Sequence, residues 1–225
     1  MIMRNDTEYI LASGSPRRKE LLARAGLEYR VLVSDAKEDY PEGMKPEEIV
    51  KLLAGRKGHA VAELLMEDAA GETGDIADKK TDRCTEVYSD VKKHIYVISA
   101  DTIVVLGDRI LGKPADRKES EEMIRALQGR DHQVWTGVQV ICMSAAAKSI
   151  EREICFADCT TVHVVPMDDE SVKAYVDSGE GDDKAGAYAI QGGFAEYISG
   201  YDGDFDNVVG LPVSHLMEVL GSPGQ

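Results

Sequence analysis

The sequence predicts an α/β fold built on a mixed sheet, and three observations lead there. Two runs rich in β-branched and aromatic residues near the N-terminus, "EYILAS" and "YRVLVS", flank a helical pattern, as in a strand–helix–strand unit. Two long alternating runs, "HQVWTGVQVICM" and "ICFADCTTVHVVP", follow one another closely, as paired strands do. Helices and strands are interspersed without a strict βα repeat, which argues against an all-parallel sheet.

The first helix is predicted from Pro16 to Ala25. Ser15 suits its N-cap, Pro16 the first helical position and Gly26 a left-handed exit, while Leu21, Leu22 and Ala25 supply one apolar face. "PEEIVKLLAGRKGHAVAELLM" is a second helical stretch with Ile49, Leu52, Leu53, Val61, Leu64 and Leu65 as core candidates, though Gly55 and Gly58 weaken its middle. From about residue 67 to 94 the composition turns to mixed charge and Gly, which reads as a solvated insertion within one domain covering 1–225.

Order resumes with "HIYVISADTIVVLGDRILGKP", read as a strand ending near Ala100, a second extended run from Thr102 and a turn at Gly107 and Asp108. A helix from Arg117 to Leu127 follows, with Asp116 as cap and Glu119 in the capping-box position. The two long strands come next, then "DDESVKAYVDSG" as a capped helix ending at Gly179. The last part is dense in glycine loops and closes with a short amphipathic helix after Pro212; "DGDFDN" lacks the later bidentate Glu of a calcium loop and reads as a turn.

A length of 225 residues allows one domain with a full core, and 43% hydrophobic with 30% charged residues is ordinary for a globular chain. The net charge of −15 argues against nucleic acid or an anionic membrane as a partner, since both rest on summed attraction of basic residues to phosphate. Cys84, Cys142, Cys155 and Cys159 lack metal-type C-x-x-C spacing and read as buried free thiols. With no signal-like N-terminus and no long apolar run, the expected location is the cytoplasm.

Two constellations could carry chemistry. In "ASGSPRRKELL" a strand turns into a helix start whose backbone N–H groups form an anion site, strengthened by Ser13 and by Arg17 and Arg18, whose guanidinium forks match phosphate oxygens. A capped surface helix with two solvated arginines fits that segment equally well. Asp101 and Thr102 interrupt an apolar run, followed by Lys113 in "LGKP": a carboxylate for a divalent cation or a water proton, and a charge for phosphate. A strand-end cap and a surface lysine are the plainer reading. Glu38 and Lys57 are weaker signals; His132, before a strand, reads as a turn or hydrogen-bonding residue and Trp135 as core. Gln191, in the small-residue run "DKAGAYAIQGG", can donate to and accept from a nucleobase edge.

Taken together and in order, "ASGSPRRKELL", "SADTIVV", "ILGKP", "LQGRDHQVWTGV", "DKAGAYAIQG" and "NVVGLP" resemble the Maf family of nucleoside triphosphate pyrophosphatases over nearly the whole chain. The resemblance implies an elongated α/β fold with a central cleft, akin to inosine triphosphatases, and often a homodimer. It implies hydrolysis of a nucleoside triphosphate between the α and β phosphates, with a divalent cation, Mg2+ or Mn2+. Carried onto matching positions, Asp101 would accept the proton of the attacking water and Glu38 would join it at the metal. Ser13, Arg17, Arg18, Lys57 and Lys113 would hold phosphates. "SPRR", "ADT" and "IQG" resemble the branch that prefers dTTP and UTP, with Arg17, Thr102 and Gln191 as selectivity residues. The insertion departs from the shorter family pattern. A nucleotide-binding regulatory protein without turnover would use the same pocket and is the rival reading.

Overall fold

The computed structural model describes residues 7–67 and 94–221, so the body of the charged insertion lies outside the described residues. Element order is β1 (Thr7–Leu11), α1 (Pro16–Arg24), β2 (Tyr29–Val31), α2 (Pro46–Glu67), β3 (His94–Leu106), β4 (Arg109–Leu111), α3 (Arg117–Leu127), β5 (Asp131–Ser144), β6 (Ser149–Val164), α4 (Asp169–Ser178), β7 (Ile198–Asp202), α5 (Phe205–Val209) and α6 (Val213–Gly221). A single sheet in the order β2-β1-β3-β5-β6-β7, with β4 beside β3, takes in every strand among the described residues. It is mixed as predicted: β1 runs parallel to β2 and β3, and β3, β5, β6 and β7 are antiparallel in turn.

The caps follow the sequence. Ser15 Oγ accepts from the Arg18 amide at 3.4 Å, Asp116 from the Glu119 amide at 2.8 Å and Asp168 from the Ser171 amide at 2.7 Å. Each satisfies a helix-start N–H that has no intrahelical acceptor. Leu21 and Leu22 of α1 are fully buried, each contributing roughly 1.5–3 kcal/mol of apolar burial. Ala25 is only half-buried.

The strand period divides the core. Ile95, Val97, Ser99, Asp101, Ile103 and Val105 of β3 point to the face covered by α2, where Ile10, Val61, Ile141 and, further along, Ile49, Leu53 and Ile103 pack. Ile98, Ala100 and Val104 point to the opposite face, against α1, α3, α4, α5 and α6. Along α2 the predicted core set is too wide: Ile49, Leu53 and Val61 are buried, Leu52 and Leu65 are half-buried and Leu64 is exposed, because one helix on a sheet buries a single stripe.

Two glycines set how closely α2 lies on the sheet. A Cβ on Gly137 of β5 would stand 2.4 Å from the carbonyl carbon and oxygen of Val50, and one on Gly58 would stand 2.7 Å from Ser99 Oγ. That hydroxyl donates to the Ala54 carbonyl at 2.7 Å, tying helix to strand. Gly58 therefore belongs to the contact face of an unbroken helix, not to a weak point within it.

Three sequence expectations change here. The strand does not end near Ala100: β3 runs through Asp101 and Thr102 to Leu106, because β5 supplies an unbroken antiparallel partner from Ser144 to Gln133. On its other edge β3 pairs with β1 over His94–Ile98 and with β4 over Val104–Leu106. Residues 99–103 are thus left facing a gap between two short strands, and there the sheet opens. "DGDFDN" is more than a turn: Asp204 caps α5, and Asn207 is fully buried. His132 lies inside β5 and is buried, its Nε2 2.7 Å from the Tyr188 hydroxyl.

Candidate active site

A cleft of about 720 Å³ opens at the gap in the β3 edge. That falls within the usual range for small-molecule sites. Ser13, Arg17, Arg18, Glu38, Lys57, Asp101, Thr102, Lys113 and Gln191 all line it, so residues spread over 178 positions of sequence meet at one cavity. Five basic side chains (Arg17, Arg18, Lys57, Lys113, Lys184) face three acidic ones (Glu38, Asp101, Asp183), a local excess of two positive charges on a chain of net −15.

Asp101 and Thr102 are neighbours on a strand and therefore point to opposite faces. Asp101 turns toward α2, where Lys57 Nζ donates to its Oδ1 at 2.5 Å and to Glu38 Oε1 at 2.7 Å. One ammonium thus draws a nearly buried carboxylate and an exposed one together. The bond from Lys57 holds the Glu38 carboxyl below its ordinary pKa, against an opposing desolvation; the charges of Lys57, Lys113 and Arg18 lower it further. The register places Gly137 directly opposite Asp101, so α2 can descend onto the sheet beside this carboxylate.

Thr102 turns to the other face, toward α1. Arg18 gives its Nε to the Gly210 carbonyl at 2.8 Å, its Nη1 to Ser13 Oγ at 3.2 Å and its Nη2 to Thr102 Oγ1 at 3.1 Å. Desolvation lowers its pKa from the ordinary guanidinium value, with Asp101 opposing. Thr102 continues the network to Thr136 Oγ1 at 3.0 Å, which meets the Asn207 carbonyl at 2.8 Å. Arg18 is thus a bracket joining the loop after β1, β3 and the C-cap of α5. The two adjacent arginines have separated: Arg17 leans into the cleft, 3.8 Å from Asp183.

The helix-start anion site is narrower than the sequence suggests. Pro16 has no N–H, Ser15 N donates to Ser13 Oγ at 3.2 Å and Arg18 N is capped by Ser15, so side chains must supply most of the grip. Lys113 and Gln191 both line the cleft with exposed side chains. The loop carrying Gln191 is held by Glu180, which accepts from the Gly193 amide at 2.8 Å and from the Tyr175 hydroxyl at 3.2 Å.

Sequence reasoning missed Lys184, Asp183 and Tyr188. Lys184 Nζ is mostly buried and donates to the Glu180 carbonyl and to Asp183 Oδ1, both at 2.5 Å, which draws the Asp183 carboxyl below its ordinary pKa, aided by Arg17. Two cations sharing one exposed carboxylate can exchange it for a ligand anion. The signal was present in "DKAGAYAIQGG", but nothing local shows that the lysine turns inward.

The donor set near Glu38 and Asp101 suits a hard divalent cation. Both offer carboxylate oxygens, and both already converge on one positive charge, the Lys57 ammonium.

Comparison with known proteins finds similar chains over nearly the whole sequence. The chain is 43% identical over 213 residues to the dTTP/UTP pyrophosphatase of Pelotomaculum thermopropionicum, covering 95% of each chain. It is 38% identical over 211 residues to the dTTP/UTP pyrophosphatase of Desulforamulus reducens, covering 94% of each. Among solved structures, the Ham1 protein of Staphylococcus aureus aligns only loosely, with a TM-score of 0.37 at 12% identity over 70% of this chain and 71% of that one. The sequence model of the family described as Maf-like protein matches residues 8–222, and with relatives this similar over nearly their whole length the chain belongs to the Maf-like family.

Proposed function

We propose that this protein hydrolyses dTTP and UTP between the α and β phosphates, releasing the nucleoside monophosphate and pyrophosphate. The observation that carries the reading is the pairing of Asp101 with Lys57 and Glu38 inside a locally positive cleft of nucleotide size. The curated relatives named dTTP/UTP pyrophosphatase support it.

In this reading Arg17, Lys113 and Lys57 bind the triphosphate, with Ser13 offering its hydroxyl; Arg18 holds Ser13 and Thr102 in place and has donors left over for phosphate. Asp101 orients a water and takes its proton on Oδ2, the oxygen that Lys57 does not engage. Lys57 holds Oδ1 of that carboxylate and moves toward phosphate as substrate replaces Glu38 beside it. Glu38 and Asp101 would hold Mg2+ or Mn2+, which when bound neutralises phosphate charge. Most of the rate enhancement then comes from positioning and electrostatics. Gln191 meets the O4 and N3–H edge shared by thymine and uracil, with Arg17 and Thr102 shaping the approach.

The homodimer, a cytoplasmic location and a single domain over the full chain belong to the same proposal; no helix among the described residues is long and apolar enough to cross a membrane. The test is a panel of canonical and modified nucleoside triphosphates with Mg2+ or Mn2+, read as pyrophosphate and monophosphate, with size-exclusion chromatography for the dimer. Preference for dTTP and UTP with pyrophosphate as first product is expected. Orthophosphate as first product overturns the reaction, and binding without turnover returns the reading to a regulatory protein.

A further inference from the structure

At the start of β3, well short of Asp101, three different ligating side chains come together. His94 Nδ1 lies 3.2 Å from Glu151 Oε2, Cys142 Sγ lies 3.9 Å from the same oxygen, and one ligand atom from each of the three lies within 4.8 Å of the others. Asp101 lies seven positions along the strand from His94, about 23 Å at ~3.3 Å per strand residue, and none of the three lines the cleft.

The backbone has a device that makes the cluster. Cys142 pairs with Arg152 and Met143 with Ile150, so the strand pair is bulged and Glu151 is the extra residue of β6. Below the bulge, alternation would put Glu151 with Glu153 on the α2 face, where Glu153 meets His59. The inserted residue instead brings Glu151 round to the face that carries His94 and Cys142. Bulges characteristically re-aim one side chain in this way.

We propose that His94, Cys142 and Glu151 form a second metal site, selective for a borderline transition ion such as Zn2+ over Mg2+. An imidazole nitrogen, a thiolate and one carboxylate are the donor types Zn2+ takes, whereas Mg2+ prefers oxygen alone. Three protein ligands leave a fourth position open. The Cys142 thiol also borders a cavity of about 20 Å³, lined by Tyr96, Arg152 and apolar residues of β5, β6 and α6. On binding, the Cys142 proton passes to solvent and the thiolate takes the ion. Bound there, the ion would clamp the start of β3 to the β5–β6 hairpin.

The experiment titrates Co2+ into the chelator-treated full chain, with Zn2+ competition and thermal unfolding as further readings. One tight site is expected, with a near-ultraviolet thiolate-to-Co2+ charge-transfer band, displacement by Zn2+ and a raised Tm with Zn2+. Cys142→Ser, nearly isosteric, should abolish the band, and His94→Gln should weaken affinity at least about tenfold, the smaller end of what even outer-shell partners cost. Asp101→Asn should leave the band intact, and Cys142→Ser should leave Mg2+-supported turnover unchanged. Absence of the band in the wild type, or its survival in Cys142→Ser, overturns the proposal. So does loss of the band in Asp101→Asn, which would place the ion in the cleft.

Discussion

Gly137→Ala tests whether the close seat of α2 on the sheet is what aligns the cleft. The added Cβ would lie 2.4 Å from Val50 backbone atoms, whereas ordinary contact begins near 3.4 Å, so helix and strand must separate locally by about 1 Å. Backbone cannot rotate aside as a flexible side chain can. Overpacking of this kind costs roughly 1–3 kcal/mol. The same shift is transmitted two helical turns along α2 to Lys57, whose 2.5 Å contact with Asp101 would stretch beyond hydrogen-bond length. A misplacement of ~1 Å can cost about 10²-fold in rate. Urea denaturation should therefore show a lower midpoint, and pyrophosphate release at saturating dTTP should show a kcat reduced by more than unfolding explains. A variant with unchanged midpoint and unchanged kcat would refute the reasoning. Lost stability with full kcat in the folded fraction would show that Lys57 is positioned independently of this contact.

Other expectations follow from the same geometry. Asp101→Asn should retain nucleotide binding, measured by calorimetry, and lose turnover by ~10² or more, as for removal of a general base; unchanged kcat would remove Asp101 from that role. Arg18→Lys keeps the charge but cannot reach Gly210, Ser13 and Thr102 together, so it should destabilise by about 2 kcal/mol or more in chemical unfolding while also raising KM; wild-type stability would show that the bracket contributes little. His132 is pushed down to about 4, first by desolvation, so the fold favours its neutral form. Its contribution is present above the unfolded value near 6.5 and is lost as pH falls toward 4, up to about 3 kcal/mol by linkage. Comparing unfolding midpoints of the wild type and His132→Gln between pH 7.5 and 4.5 reads this directly: the wild type should lose more stability on acidification, and parallel pH curves would refute it.

Elements held by neighbouring residues were legible from the chain alone. The α1, α3 and α4 starts sit at Ser15, Asp116 and Asp168 because a side-chain oxygen two or three residues upstream meets an unpaired amide, a contact that needs no tertiary partner. The continuity of β3 was not legible, since a charged residue inside an apolar run is tolerated only where a long partner strand and a lysine from another element offset it. The bulge that re-aims Glu151 left no local mark either.

By itself, then, the sequence determined the mixed α/β class, the helix caps and nine of the residues that line the cleft, the last through motifs whose order is as informative as their content. Only the tertiary structure decided what each of those residues touches. Arg17 and Arg18 are adjacent and chemically identical, yet one faces an exposed carboxylate and the other bonds Gly210, 192 residues away. Asp101 and Thr102 serve opposite faces of one strand, and Lys57 reaches Asp101 across 44 residues because two glycines let a helix lie low on the sheet. The reason is physical: caps and periodicity depend on short-range geometry along the chain, whereas ion pairs and close approach depend on which surfaces the hydrophobic core brings together.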